Sequence, residues 1–93
     1  MLKSIIIDDE TESIEVLKSL LTEYCQDVFV IGTANSPAEG IKLIKQNPPD
    51  LLFLDIDMPG LNGFELLKTL PEKDFEIISV TAHNDKALEA FKA

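Results

Sequence analysis

Short apolar segments alternate with amphipathic segments along this chain, and the alternation restricts its fold more than any other feature does. The apolar segments are rich in β-branched residues, as is typical of strands buried on both faces of a sheet. Four strands are predicted, at residues 3–7, 28–33, 51–54 and 76–81. Strands that alternate with helices predict an α/β fold, with a parallel sheet and helices on both of its faces.

The segments between these strands have the apolar spacing of helices. The first predicted helix carries one apolar stripe, whose members are Ile14, Val16, Leu17, Leu20, Leu21 and Tyr24. The second helix has the clearest start, because Ser36 suits the N-cap, Pro37 the first turn and Glu39 a capping box. Two further helices are predicted at 64–70 and from 84 onward.

Length and charge limit the class of protein. A chain of 93 residues is expected to form a single domain, residues 1–93. Because 17 acidic side chains stand against 8 basic ones, a general nucleic-acid-binding surface is excluded for this segment. No apolar run is long enough to cross a membrane, and the single cysteine, Cys25, allows no internal disulfide. We therefore expect a cytoplasmic protein.

Polar residues stand where the predicted strands end. Asp8 and Asp9 follow the first strand, Asp55 follows the third, and Thr81 ends the fourth. In open parallel sheets, ligands bind at the carboxyl ends of the strands, and neighbouring strand ends lie about 5 Å apart. Carboxylates at that spacing favour a hard cation, which predicts Mg²⁺, whereas one Cys and one His are too few for zinc. Either Asp8 or Asp9 also suits the N-cap of the first helix.

Three motifs together resemble the receiver family of two-component response regulators. They are an acidic pair after the first strand (Asp8-Asp9), the loop Asp55-Ile56-Asp57-Met58-Pro59-Gly60, and Thr81-Ala82 after the fourth strand. The resemblance spans essentially the whole chain. It implies a flavodoxin-like open sheet with strand order 2-1-3-4 for the four strands present.

The resemblance also implies a role for each site residue. Asp55 would accept a phosphoryl group from the phosphohistidine of a sensor histidine kinase, in a reaction that needs Mg²⁺. Asp9 would bind the metal directly, Asp8 directly or through water, and Asp57 through its backbone carbonyl. Thr81 would offer its hydroxyl to a phosphoryl oxygen. Such a domain is a signalling switch and not an enzyme in the ordinary sense.

Three of the neighbouring positions would modulate this chemistry by the same resemblance. A small residue at Ala82 would leave the acceptor accessible. The side chains of Asp57 and His83 would flank the phosphoryl group and influence how fast water removes it. The segment 81–83, taken with 87–91, is similar to receivers joined to LytTR-type DNA-binding output domains, so we expect such an output domain in the complete protein.

One feature of the family pattern has no counterpart in this sequence. The family carries a lysine at the end of a fifth strand, followed by a fifth helix, and the sequence ends at Ala93 before that position. We therefore expect a C-terminally incomplete receiver that is a poor phosphoacceptor. We also expect its fourth strand to be an exposed edge through which it forms a homodimer.

Parts of the sequence are also compatible with two other classes of function. Asp55-Ile56-Asp57 after an apolar strand also resembles the nucleophile motif of haloacid-dehalogenase-like phosphohydrolases, although that family places its acidic pair downstream. A receiver-like interaction module without phosphotransfer is the other alternative. A calcium EF-hand is excluded, because Pro59 and Leu66 occupy the fifth and twelfth loop positions, where oxygen ligands are required.

Overall fold

The structure is a computed structural model that describes residues 1–55 and 75–80. Its elements are, in chain order, β1 (Leu2–Ile7), α1 (Thr11–Tyr24), β2 (Val28–Ala34), α2 (Pro37–Gln46), β3 (Leu51–Asp55) and β4 (Glu76–Val80). The first three predicted strands agree with these bounds to within one residue. The helices predicted at 64–70 and from 84 onward lie outside the described residues, as does Thr81 at the end of the predicted fourth strand.

The four strands form one parallel sheet with the order β2-β1-β3-β4. This confirms the predicted flavodoxin-like order 2-1-3-4. The first crossover places β2 on one side of β1 and the next places β3 on the other, so the strand order reverses at β1. Ile7 pairs with Leu54, so β1 and β3 end side by side at the same edge of the sheet.

Each face of the sheet is covered by one of the two described helices. The cluster on the α2 face consists of Ile5, Ile7, Ala34, Ile44, Leu52 and Leu54, and the cluster on the α1 face consists of Ile6, Ile14, Leu17, Leu21 and Phe53. Successive residues of β1 thus enter opposite clusters, as the two-residue period of a strand requires. Full burial of each such side chain contributes about 1.5–3 kcal/mol, so the two inner strands, β1 and β3, contribute most of the burial within the sheet.

Helix α1 differs from its prediction in its start and in the width of its apolar stripe. Its N-cap residue is Glu10, so neither Asp8 nor Asp9 occupies the cap position. Val16 and Tyr24 are 46% and 52% exposed, whereas the rest of the predicted stripe is buried. Val16 lies about 110° around the helix from the centre of the buried stripe, and Tyr24 is the last residue of the helix.

Helix α2 begins as its sequence predicts. Ser36 is the N-cap, its Oγ accepts a hydrogen bond from the backbone N–H of Glu39 at 3.3 Å, and Pro37 lies in the first turn. Among residues 1–55 and 75–80, no helix is long and apolar enough to span a membrane.

Candidate functional site

The carboxyl edge of the sheet places Asp8 and Asp55 next to each other. Both residues directly follow the paired positions Ile7 and Leu54 on neighbouring strands. The backbone N–H of Asp8 donates to the carbonyl of Ala34 at 3.0 Å, which extends the β1–β2 pairing by one residue beyond the strand. Asp8 is therefore held by the sheet itself, at the point where the strand order reverses.

Three carboxylates meet at this edge. One oxygen each of Asp8, Asp9 and Asp55 can be chosen so that all three lie within 4.8 Å of one another. Asp8 and Asp55 are each 3% exposed, while Asp9 is exposed. The structure thus brings together the three acidic side chains that the sequence singles out, as a buried pair with a third oxygen donor facing solvent. Such an arrangement offers oxygen ligands to a cation that arrives from solvent and keeps part of its water shell.

Burial makes the charged form of Asp8 unfavourable. It raises the pKa of Asp8 from its ordinary value of 3.8 to about 6, and the charges of Asp55 and Asp9 and a hydrogen bond with the Asp55 side chain act in the same direction. The backbone N–H of Glu10, which donates to Asp8 Oδ1 at 2.9 Å, opposes the rise. The cluster therefore binds a proton unusually tightly unless a cation neutralises it.

Four of the predicted site residues lie outside the described part of the chain: Asp57, Thr81, Ala82 and His83. Their predicted roles therefore rest on the sequence alone. Val80, the last described residue before Thr81, pairs with Asp55 across the β3–β4 ladder.

The resemblance assigned different roles to Asp8 and Asp9, but the sequence did not indicate which of the two is buried. Asp8 still makes a sheet hydrogen bond and is buried, whereas Asp9 is exposed. The sequence also contains no sign of the close packing at Gly40, where an added Cβ would lie 2.3 Å from Cδ1 of Ile7, the residue that precedes Asp8. Glycine in a helix carries no apolar signal, and only the packing of that helix on the sheet reveals such a contact.

A doubly wound parallel sheet with an acidic cluster at its switch point defines an α/β domain whose ligand-binding edge offers oxygen ligands to a cation. Comparison with known proteins identifies the family. The profile of the response regulator receiver domain matches residues 5–93. The chain therefore belongs to the response regulator receiver family, and the haloacid-dehalogenase-like alternative is not supported.

Individual relatives agree with this assignment. An uncharacterized response regulatory protein of Vibrio cholerae is 47% identical over 93 residues, which cover 99% of this chain and 39% of that protein. The transcriptional regulatory protein BtsR of Escherichia coli is 38% identical over 93 residues, which cover 99% of this chain and 38% of BtsR. The chain thus spans about two fifths of the length of these curated relatives.

A solved structure shows the same fold. The signal receiver domain of the response regulator NarL from Mycobacterium tuberculosis superimposes with a TM-score of 0.77 at 26% sequence identity. The match covers 98% of this chain and 74% of the NarL receiver chain. The sheet order observed in residues 1–55 and 75–80 is therefore that of a receiver domain.

Proposed function

We propose that this receiver accepts a phosphoryl group on Asp55 from the phosphohistidine of a sensor histidine kinase, and thereby controls an output domain. The observation that carries the proposal is the convergence of Asp8, Asp9 and Asp55 within 4.8 Å at the carboxyl edge of the sheet. Asp55 ends β3, so the sheet holds its carboxylate in a fixed position with little conformational freedom to lose on reaction.

The donor set of the cluster fits Mg²⁺. Asp8, Asp9 and Asp55 supply only oxygen, and the exposure of Asp9 leaves room for water and phosphoryl oxygens in the coordination shell. We propose that Asp9 and Asp55 hold the ion directly, Asp8 directly or through water, and the backbone carbonyl of Asp57 completes the protein ligands. When bound, Mg²⁺ would neutralise negative charge on the carboxylates and the phosphoryl oxygens.

Transfer to Asp55 is a substitution at phosphorus. A carboxylate oxygen of Asp55 forms the new P–O bond as the P–N bond to the kinase imidazole breaks, and the bonding electrons leave with the imidazole nitrogen. The product is an acyl phosphate. We propose that the hydroxyl of Thr81 donates to a phosphoryl oxygen, that Ala82 leaves the acceptor accessible, and that Asp57 and His83 flank the group and set its rate of hydrolysis.

The expected partners follow from this role. They are a sensor histidine kinase and the protein's own output domain, which we propose to be a DNA-binding domain of the LytTR type that regulates transcription in the cytoplasm. BtsR, a relative, is a transcriptional regulatory protein by name. With a formal net charge of -9, this segment is not suited to contact nucleic acid itself. Its role is that of a signalling domain and not of a separate enzyme.

The homodimer through the fourth strand stays a prediction. Within residues 1–55 and 75–80, β4 pairs only with β3, so its outer edge offers backbone N–H and C=O groups to a second copy. Ile77 and Ile78 are half-buried on that strand. Sedimentation of the chain over a range of concentrations tests the prediction, and a monomer at every concentration would refute it.

Calorimetric titration with Mg²⁺ tests the proposed metal site. The wild-type chain is expected to bind the ion weakly, and Asp9→Asn and Asp55→Asn are each expected to weaken binding by roughly tenfold or more, because each removes a charged oxygen ligand. Asp27→Asn is the matched control, since it removes the same charge from an exposed position just before β2, at the opposite edge of the sheet.

The control separates a site from a general effect of charge. If all three variants weakened Mg²⁺ binding equally, the acidic surface as a whole would attract the ion and the proposed site would be wrong. Absence of any binding that depends on Asp55 would favour a receiver-like interaction module that does not transfer phosphate.

A further inference from the structure

Helix α2 approaches β1 most closely at Gly40. A Cβ atom built on Gly40 would lie 2.3 Å from Cδ1, 2.8 Å from Cγ1 and 3.3 Å from Cγ2 of Ile7. All three outer carbons of the Ile7 side chain therefore surround the space that any larger residue at position 40 would fill. Only glycine allows the helix and the strand to come this close without a shift of one of them.

Rotation of the Ile7 Cδ1 tip would not relieve the contact, because Cγ1 would still lie 2.8 Å from the added methyl. The Ile7 side chain is fully buried, with an exposed fraction of 0%, and it packs in the cluster that includes Ala34, Ile44 and Leu54. Its branched Cβ also restricts rotation about χ1. A methyl group at position 40 would therefore displace the backbone of β1 or α2 rather than turn a flexible side-chain tip.

Ile7 is directly connected to the acidic cluster. It precedes Asp8 in the chain. In the sheet it pairs with Leu54, the residue before Asp55, on one side and with Ala34 on the other. The Asp8 N–H donates to the carbonyl of the same Ala34 at 3.0 Å. A displacement of the Ile7 backbone would therefore change the position of Asp8 relative to Asp55.

We propose that Gly40 is a positioning residue for the acidic site. Its missing side chain sets the separation between α2 and the carboxyl end of β1, and through Ile7 it sets the position of the Asp8 carboxylate opposite Asp55. The inference rests on the proposed Mg²⁺ site and adds to it a residue that touches neither the ion nor the phosphoryl group. It acts only through the packing of Ile7.

The test is Mg²⁺ titration of the Gly40→Ala chain, together with its amide NMR spectrum in the absence of metal. Mutation of residues that orient metal ligands without touching the metal typically lowers metal affinity by about 10–100-fold. We expect the lower end of this range, a loss of roughly tenfold. The Asp8 amide resonance should shift in metal-free protein, because its hydrogen bond to Ala34 is strained. Alanine has a higher helix propensity than glycine. Weaker Mg²⁺ binding in Gly40→Ala would therefore show that the contact with Ile7 outweighs the gain in helix propensity.

Gly32→Ala is the matched control. Gly32 also packs against α2, but a Cβ there would meet Leu43 Cδ1 at 3.2 Å, the movable end of a half-buried side chain. Its partner in the sheet is Ile5, three residues before Asp8. Gly32→Ala should leave Mg²⁺ affinity within about twofold of wild type and the Asp8 amide in place, because the movable Leu43 tip can absorb the added methyl.

Rescue by a second substitution distinguishes positioning from loss of structure. Ile7→Val removes Cδ1, the atom nearest to the added methyl, and keeps the branched Cβ. Relative to Ile7→Val alone, the Gly40→Ala/Ile7→Val variant should lose less Mg²⁺ affinity than Gly40→Ala loses relative to wild type, because the 2.3 Å contact is removed while the 2.8 Å contact with Cγ1 remains. Unchanged affinity in folded Gly40→Ala, or no rescue, overturns the inference. If wild type does not bind Mg²⁺, the proposed metal site is wrong. In that case an unshifted Asp8 amide resonance in Gly40→Ala would independently refute the positioning role.

Discussion

Asp55→Asn is expected to abolish phosphorylation of the full-length protein by acetyl phosphate in the presence of Mg²⁺. The substitution replaces the nucleophilic carboxylate with an amide of nearly the same shape, so the fold is preserved while the acceptor oxygen is lost. We expect the incorporated phosphate to fall by at least about a hundredfold, since transfer depends on one positioned nucleophile. Mass spectrometry of the intact protein measures it directly.

Asp50→Asn provides the matched control for this experiment. Asp50 lies just before the start of β3, and its Oδ2 accepts a hydrogen bond from the backbone N–H of Lys3 at 2.8 Å. An asparagine keeps an oxygen for that bond, and the position is at the opposite end of the strand from Asp55. Phosphorylation should therefore be unchanged. A label that persists in Asp55→Asn, or that maps to Asp57, would contradict the assignment of the acceptor.

The strands could be predicted from the sequence for a physical reason, whereas their order was implied by the resemblance to receivers. A strand buried on both faces must be apolar at successive positions, as Ile5, Ile6 and Ile7 are, and such runs are conspicuous between polar segments. The start of α2 was equally predictable, because Ser36 caps the helix through a local hydrogen bond. The grouping of acids at one edge follows from strand direction alone.

Features that depend on packing between distant segments could not be predicted in this way. Asp8 and Asp9 have the same side chain, and the pairing of β1 with β2, which continues to the Asp8 N–H, accompanies the burial of Asp8 and not of Asp9. The exposure of Tyr24 has a similar origin, because a periodic pattern does not show where a helix extends past the sheet. The fit between Gly40 and Ile7 joins residues whose proximity is set by the crossover from β1 to α2.

Asp8→Asn is expected to stabilise the metal-free chain at neutral pH. In the folded state the pKa of Asp8 is raised to about 6 from an ordinary value of 3.8, so the folded protein binds this proton more tightly than the unfolded chain does. Stability contributed by Asp8 is therefore fully present below about pH 4, falls as the pH rises toward 6, and stays low above it. Asparagine is neutral throughout and avoids this loss.

The expected difference is about 2–3 kcal/mol at pH 7, since each pKa unit corresponds to about 1.4 kcal/mol. Urea denaturation in EDTA between pH 5 and 8 measures it, in this chain and in Asp8→Asn. The difference between the two should grow with rising pH and level off above about pH 7. Asp27→Asn removes an equal charge from an exposed position and reports the effect of net charge alone.

Mg²⁺ should narrow the difference in stability between wild type and Asp8→Asn, and reverse it only near 100 times the dissociation constant, where binding contributes about 2.7 kcal/mol. Because the ion binds the folded state, it stabilises wild type in proportion to the logarithm of its concentration over the dissociation constant, whereas Asp8→Asn has one charged oxygen fewer and gains less. Asp8 thus destabilises the metal-free domain and strengthens Mg²⁺ binding, since the burial that raises its pKa also holds its carboxylate beside Asp55. If Asp8→Asn were less stable than wild type in EDTA at pH 7, the Asp8 carboxyl would be stabilising the metal-free fold, and the opposition between stability and ion binding at this site would be refuted.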